Sequence, residues 1–524
     1  MVRSCAISIW RVCRLQQRVR TIRSPHLTSI RPALCTNKLP HWYSLVMRMS
    51  EFKRQHPVVI ITGVLRELRT FILPFLIFLI LSVLGEDARI FEGRGVLIFA
   101  LISIGFSMIA GVLKWFFFRY AVTGTVIEIR SGIFIRKQRH IKQERIQTIS
   151  LEAGLWHRVF SLTALNIETA GNLGESEVQI QALPVIEAEE IRRRLTTGNT
   201  FETAEESAAN VSGPQRIIDA LTLLKAGLTS GSVSVVMLLI AAFFGQLIFF
   251  LPSRYFEQLL DVGRQLGIYA IFLAAALFVG VAWVLSVIRY VIRYAMFTVR
   301  LKGEDLIITR GLIVLKTLTL KRHRIQSVVI VQGLLRQPFG YATIEVKAAG
   351  GRTDDALTST VLHPLIKMRD IEPFLRDFLP DVHWEHDVTA LPSRARIRYI
   401  IRNLALPILA LPFAFFEPRI LWLLSVLPFL ILLALAQHAH AGTAVGARGM
   451  TLQMRTVAKK WVLTGKSHIQ ALSTRQSLMQ RWRRLSTVSI HVLAAPSSTV
   501  FTVRDVDLAT TATLLQWLSR EKRP

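Results

Sequence analysis

Residues 141–171, IKQERIQTISLEAGLWHRVFSLTALNIETAG, recur without a gap at residues 320–350 as LKRHRIQSVVIVQGLLRQPFGYATIEVKAAG. Arg145-Ile146-Gln147 matches Arg324-Ile325-Gln326, Gly154-Leu155 matches Gly333-Leu334, Phe160 matches Phe339, and Ala170-Gly171 matches Ala349-Gly350. A weaker third copy runs through Ile469-Gln470, Leu478 and residues 487–494 at the same spacing. A unit used three times constrains the fold more than any single motif, because the chain must then be three similar modules plus whatever separates them.

Two long apolar segments precede each copy. Hydrophobic residues make up 51% of the 524 residues and the mean hydropathy is +0.41, values that place the chain among membrane proteins. Runs at 70–84, 95–118, 228–251, 267–290, 399–416 and 420–436 approach or exceed the roughly 18 residues that read as a bilayer span. They predict six spans in three transmembrane hairpins, over 58–118, 225–291 and 399–437. Pro407 and Pro412 interrupt the fifth span, which is expected to kink or enter only partway.

The loops inside the hairpins balance their charges, whereas Arg66, Arg69, Lys114 and Arg119, then Lys225, Arg289 and Arg293, then Arg394, Arg396, Arg398 and Arg402 flank the outer ends. Positive flanks predict a multi-pass protein of the inner, cytoplasmic membrane with modules and termini in the cytoplasm. The span cores carry no charged side chain apart from Arg402, close enough to an end to snorkel. Ion paths and pumps need intramembrane charge, so these segments read as anchors and a transporter or exporter component is the alternative.

Lys+Arg total 64 against Asp+Glu 35, a formal +29. That balance fits nucleic acid, anionic lipid or the topology signal itself. Aromatic residues do not interleave with the basic clusters as a base-stacking surface requires, so no nucleic acid is expected. Residues 1–48 supply nine of the net charges and hold no acid; they read either as a transit peptide or as a stretch preceding a true start at Met49. All three cysteines, Cys5, Cys13 and Cys35, lie there, which excludes a disulfide framework or Cys-type zinc site from the body.

Each module, at 119–196, 292–380 and, divergently, 441–522, reads as short alternating strands followed by a helix. Ser131-Gly132 and Gly311 mark hairpin turns. The closing helices are expected at 184–195, 364–379 and 506–521; in the second, Met368, Ile371, Leu375 and Phe378 make an apolar stripe with Pro364 in the first turn. Residues 197–215 are polar and small, a flexible linker.

A membrane hairpin, then a strand-rich module with a turn Gly, an Arg-Ile-Gln and a Gly-Leu, then a helix, resembles the bacterial pleckstrin-homology-like, membrane-flanked family of YdbS and YdbT type. The carriers are Gly132, Ile146, Gln147, Leu155 and Gly171, then Gly311, Ile325, Gln326, Leu334 and Gly350, with Ile469 and Gln470 in the third copy. The resemblance covers the chain from about Met49 onward and implies membrane α+β architecture: three transmembrane hairpins, each followed by a pleckstrin-homology-like split β-barrel with a C-terminal helix. It implies little activity, with protection of the envelope against membrane-active peptides attached to some members. The third copy departs, with Arg455 at the turn-Gly position and His468 at the Arg position.

No nucleophile elbow, metalloprotease helix or dinucleotide fingerprint is present, so nothing in the sequence indicates an enzyme, and no cofactor is expected. Gly465-Lys466-Ser467 lacks the upstream Gly of a phosphate-binding loop. His383-Trp384-Glu385-His386 has two histidines beside an acid, read as an exposed loop in preference to a metal site. Arg139, Lys142 and Arg145, with Lys321, Arg322 and Arg324 at matching places, are the candidate contacts for anionic headgroups or a partner, against the plainer reading of a solvated cytoplasmic face. A structural hydrogen bond is an equal reading for Arg145 and Arg324. The partners expected are the lipid bilayer and either a paralogous PH-like membrane protein or a second copy.

Overall fold

The computed structural model describes residues 52–60, 63, 93–123, 126–132, 135–169, 178–197, 213–231, 253–348, 360–410, 424–493 and 498–519. Helix α1 (Gly93–Phe117) leads into β1 (Arg119–Thr123), β2 (Val126–Ser131), β3 (Lys137–Lys142), β4 (Ile146–Ala153), α2 (Leu155–Val159), β5 (Leu162–Thr169), β6 (Val178–Pro184) and α3 (Val185–Thr197). The second module follows β7 (Gln215–Ile217), α4 (Ala220–Leu228) and α5 (Ser253–Tyr294). It comprises β8 (Thr298–Lys302), β9 (Asp305–Arg310), β10 (Leu315–Lys321), β11 (Ile325–Gln332), β12 (Tyr341–Ala348), β13 (Thr360–Lys367) and α6 (Ile371–Phe378). After β14 (Thr389–Ala390), α7 (Arg396–Ala410) and α8 (Leu427–His440) come β15 (Gly442–Val445), β16 (Gly449–Arg455), β17 (Lys459–Gly465), β18 (Ile469–Arg475), α9 (Leu478–Trp482), β19 (Leu485–Val492), β20 (Thr499–Asp507) and α10 (Leu508–Ser519).

The local structure follows the residue pattern. In β2 and β9 alternate residues turn inward, burying Ile127 and Ile129, then Leu306 and Ile308, the period-two signature of a half-buried strand. Gly132 and Gly311 sit at φ +112° and +110°, where an added Cβ would lie 1.9 Å from the Ile135 carbonyl oxygen or 2.0 Å from that of Val314. Only glycine fits there. Arg455 occupies this place in the third copy without strain, because it stays in the strand, opposite Lys459 across a tighter turn. In every copy a single 3-10 turn separates the third and fourth strands: Gln143–Arg145, Arg322–Arg324 and Lys466–His468. Pro364, expected to begin a helix, lies inside β13, opposite an irregularity in β12, where a missing N–H is tolerated.

A closed split barrel in each module was the expectation, and the sheets correct it. They run from one module into the next. The last three strands of the first module, the first three of the second and the short β7 at the edge form one seven-stranded sheet, ordered β6-β5-β4-β10-β9-β8-β7, and β13-β12-β11-β17-β16-β15-β14 does the same for the second and third with β14 at its edge. Half-sheets β1-β2-β3 and β18-β19-β20 remain at the two ends. At both junctions the fourth strand of one module pairs antiparallel with the third strand of the next, in equivalent register: Leu320 opposite Thr148, and Thr464 opposite Ser327. The physical reason is visible in β11, IQSVVIVQ. Val328 and Ile330 belong to a core that also holds Trp461 and Leu463 of β17, while Val329 points into the third module's core. A strand buried on both faces needs a continuous apolar run.

The six-span expectation is also corrected. Among the described residues, Ala275–Tyr294 within α5 is the one helical stretch long and apolar enough to cross a membrane. The apolar stretches Ile104–Phe117, within α1, and Leu424–His440 are shorter. Helix α7 carries Pro407 in its interior, and Arg398 and Arg402 near its start reach the buried carboxylate of Asp505, at 2.6 and 3.5 Å, instead of the interface. The stretches expected to span at 70–84 and 232–251, and residues 411–423 between α7 and α8, lie outside the described residues, as do residues 1–48 and 198–212. The end of the expected linker is β7, an edge strand on β8.

Candidate membrane-facing groove and basic cavity

The end of the apolar helix is fixed to the second module by its turn. The Gly311 N–H donates to the Ala295 carbonyl at 2.7 Å and the Leu312 N–H to that of Ile292 at 2.9 Å. Arg158 of α2 donates to the Leu312 carbonyl at 3.0 Å. The helix end, the β9–β10 turn and α2 therefore lie at one end of the shared sheet, and this end is apolar on its outside. Leu155, Trp156, Val159 and Phe160, with Leu312, Ile313 and Val314, are exposed. The pattern repeats in the second copy with Leu334, Leu335 and Phe339, and in the third with Leu478, Met479 and a Trp482 that is 90% exposed. Large apolar side chains left in the open at the same place three times mark an interaction surface, and Trp and Leu beside Arg suit the membrane interface.

Between α5 and the turn lies a groove of about 440 Å³. Leu285, Ile288, Ile292, Ile313 and Val314 form its apolar wall, and Arg289, Arg293, Arg310 and Lys316 supply the cations. The Arg310 and Arg293 guanidinium groups sit 5.2 and 5.7 Å from the Tyr294 ring centre, and Lys316 Nζ lies 3.0 Å from Glu152 across the first junction. Cations from the apolar helix and from a folded module thus converge beside apolar side chains.

A family model described as Bacterial PH domain matches residues 68–198, 235–379 and 399–522. The chain belongs to the bacterial PH domain family. It is 31% identical over 499 residues to the transmembrane protein YdbT of Bacillus subtilis (strain 168), a match that covers 90% of this chain and 99% of that protein. No solved structure matches it. The three family matches fall on the three copies, so the repeat and the YdbT-type kinship hold, and the chain is a membrane protein carrying repeated PH domains.

The sequence-predicted residues of the PH modules lie mostly at the other end of the sheet. Arg145 and Arg324 end their 3-10 turns instead of beginning strands, and Lys142 and Lys321 close the strands before those turns. An eight-residue strand separates these turns from the apolar end, about 23 Å at the usual rise. Arg139 is half-buried in β3. Arg322 pairs with Asp381 at 3.2 Å and Glu304 at 3.8 Å. It also lines a cavity of about 590 Å³, where the second PH module's turn meets the third's: Arg448, Lys466, His323 and His468 converge with it, facing Asp381. Burial pushes the His468 imidazole down in pKa, against the pull of Asp381. Arg139, Lys142, Arg145, Lys321 and Arg324 are not part of that lining.

Among the signature positions, Ile146 and Ile325 are buried, Ile469 is half-buried and Gln470 exposed. Gln147 lies in β4, and Leu155 and Leu334 are exposed. Gln326 donates to the Arg324 carbonyl at 3.3 Å and its own carbonyl accepts from Thr464 at 3.1 Å, across the second junction. Gly171 and Gly350 lie outside the described residues. The segment around Trp384 is a packed strap: its indole stacks on His386 and meets Trp461 edge-on, and the Glu385 N–H donates to Thr451 at 3.1 Å.

One functional position escaped the sequence comparison because its chemistry changes from copy to copy. His157 contacts the Gln181 carbonyl at 2.9 Å. At the matching place Arg336 donates to the Pro364 carbonyl at 3.1 Å, and in the third copy Gln480 donates to Asp505 at 2.9 Å. The three residue types share no letter, so only spacing from Gly-Leu could have pointed to them. Arg289, Arg293 and Arg310 carried a signal, but as topology flanks and a turn neighbour they read as plain punctuation.

Proposed function

We propose that this chain is a non-enzymatic membrane protein whose PH modules stand on the cytoplasmic side of the inner membrane and engage anionic phospholipid headgroups at their apolar end and a protein partner elsewhere. The groove where Arg289 and Arg293 of α5 meet Arg310 and Lys316 of the second module carries this reading. Each basic residue near an anionic surface is worth about 1 kcal/mol, so a set of four gives a preference that water-exposed flanks alone do not. The partner contact is assigned to the turns at the far end, where Arg322 meets Arg448 and Lys466, with Arg139, Lys142, Arg145, Lys321 and Arg324 as further candidate contacts outside that cavity.

The test uses the full chain in detergent, titrated with phosphatidylglycerol or phosphatidylcholine and read by native mass spectrometry. Phosphatidylglycerol is expected to be retained preferentially, and the Arg289→Gln/Arg310→Gln variant to lose retention on the order of thirtyfold, the worth of two such cations. Equal retention of the two lipids by the unmodified chain would remove the headgroup assignment. For orientation, a Trp482→Cys variant in intact protoplasts should resist a membrane-impermeant maleimide until the membrane is opened; labelling from outside would reverse the sidedness.

A further inference from the structure

Among the described residues, the half-sheets β1-β2-β3 and β18-β19-β20 are not joined to a second half-sheet. At both internal junctions a fourth strand is covered by the third strand of the next module, and burial follows: β11 is buried along most of its length. Among the described residues no third strand of another module covers β18, the fourth strand of the third module. Among the described residues it is hydrogen-bonded to β19 alone, and Gln470, Ala471, Ser473, Thr474 and Arg475 are exposed. Its backbone is nonetheless shaped like the mated strands, with an irregularity between Ile469 and Ala471 where β4 and β11 have theirs, at Ile146/Thr148 and Ile325/Ser327. Exposed strand edges of this kind are templates for strand addition.

We infer that the β18 edge is a docking surface for the third strand of a PH module on a different polypeptide, one that presents an acidic residue opposite Arg475. The register of the two junctions defines the opposing positions. It would place Ile141 of a second copy's β3 opposite Ala471, Gln138 opposite Thr474, and Lys137 opposite Arg475. At the first junction that last position is the Glu152–Lys316 ion pair at 3.0 Å, and at the second it is Val331 against Lys460. All three third strands of this chain carry lysine there, namely Lys137, Lys316 and Lys460. Pairing with a second copy therefore sets Lys137 against Arg475, and like charges directly opposite one another are unfavourable. The geometry of the edge invites a PH strand, and its charge selects against the chain's own.

The experiment mixes two differently tagged full-length chains in detergent, each with Cys5, Cys13 and Cys35 replaced by serine. One carries Thr474→Cys; the other carries Gln138→Cys and serves as the probe, either with Lys137 intact or with Lys137→Glu. Directly opposed strand residues have Cα atoms about 4.5–5.5 Å apart, inside the range a disulfide spans, so mild oxidation reports the register. The acidic probe is expected to give on the order of fivefold more mixed disulfide than the lysine probe. Arg475→Glu should reverse the preference, joining the lysine probe and losing the acidic one, which guards against misfolding of either probe. No mixed disulfide with any combination would show a merely solvated edge, and equal yields with both probes would assign the edge to a second copy; either result overturns the proposal.

Discussion

Replacing Ile330 with aspartate is expected to open the second and third PH modules together while the first stays folded. Ile330 is fully buried in β11, opposite Ile344 on one side and Trp461 on the other. A carboxylate there would sit among the apolar side chains of that core. The cost is about 4 kcal/mol or more, from lost apolar burial plus desolvation of the carboxylate. The strand belongs to two cores at once, since Val328 and Ile330 face the second module's and Val329 the third's. Limited trypsin digestion of the full chain in detergent checks this. Cleavage after Lys459 and Lys460, in β17 of the third module, should accelerate at least tenfold, whereas sites in the first module, whose core is a separate cluster around Leu165, Ile167 and Ile180, should not change. Independent modules would leave Lys459 and Lys460 protected, and the shared-sheet architecture would fail.

The second large effect is expected at Arg336. This side chain is 5% exposed and joins four parts of the molecule. Nη1 donates to Thr343 and to the Pro364 carbonyl at 3.1 Å, Nη2 to the Ala226 carbonyl at 3.0 Å and the Tyr290 hydroxyl at 3.5 Å, and Nε to Thr229 at 3.2 Å. All these partners are neutral. Two effects oppose one another on truncation: removing a desolvated cation is favourable, but the Ala226 and Pro364 carbonyls and the Thr229 hydroxyl each lose a charged donor, with the Thr229 hydroxyl at 3.4 Å and the Thr343 hydroxyl at 3.2 Å left on the two carbonyls, and a cavity remains. The second effect wins, giving a loss of about 3 kcal/mol for Arg336→Ala. Since Arg336 ties β12 and β13 to α4 and α5, the loss should appear as a lower Tm of the detergent-solubilised chain. Arg336→Gln, which imitates Gln480 in the third copy, should recover part of it. An unchanged Tm for Arg336→Ala would show that the guanidinium is not what couples the module to its helix.

How much of this was legible in the sequence depends on whether the information is local. The turn at Gly311 was readable because a positive φ leaves a glycine in place. The strand pairs around it were readable from alternation, and the three modules from the recurrence of Ile-Gln and Gly-Leu. Leu155 and Leu334 were readable as recurrent but not as exposed, since a repeated leucine looks the same in a core and on a lipid-facing surface. Arg322 was singled out for its basic neighbours. Arg448 and Lys466, which share its cavity, are more than a hundred residues further on and belong to another copy. The hydropathy count overreached as well: among the described residues Ala275–Tyr294 alone is apolar over enough helical length to span, and the apolar stretches at Ile104–Phe117 and Leu424–His440 are shorter.

By itself the sequence determined that a PH-type unit is used three times, that the chain is a membrane protein and where the turn at Gly311 falls, because these follow from residue-by-residue preferences and from repetition. Only the tertiary structure decided which half-sheet pairs with which. Hydrogen bonding between strand edges is blind to side-chain identity, so the same strands satisfy a closed module or a chain of shared sheets, and at the second junction the choice rests on burial of both faces of β11 by strands far along the chain. The same reason leaves β18 with an edge, and Arg475 as the residue that selects what can cover it.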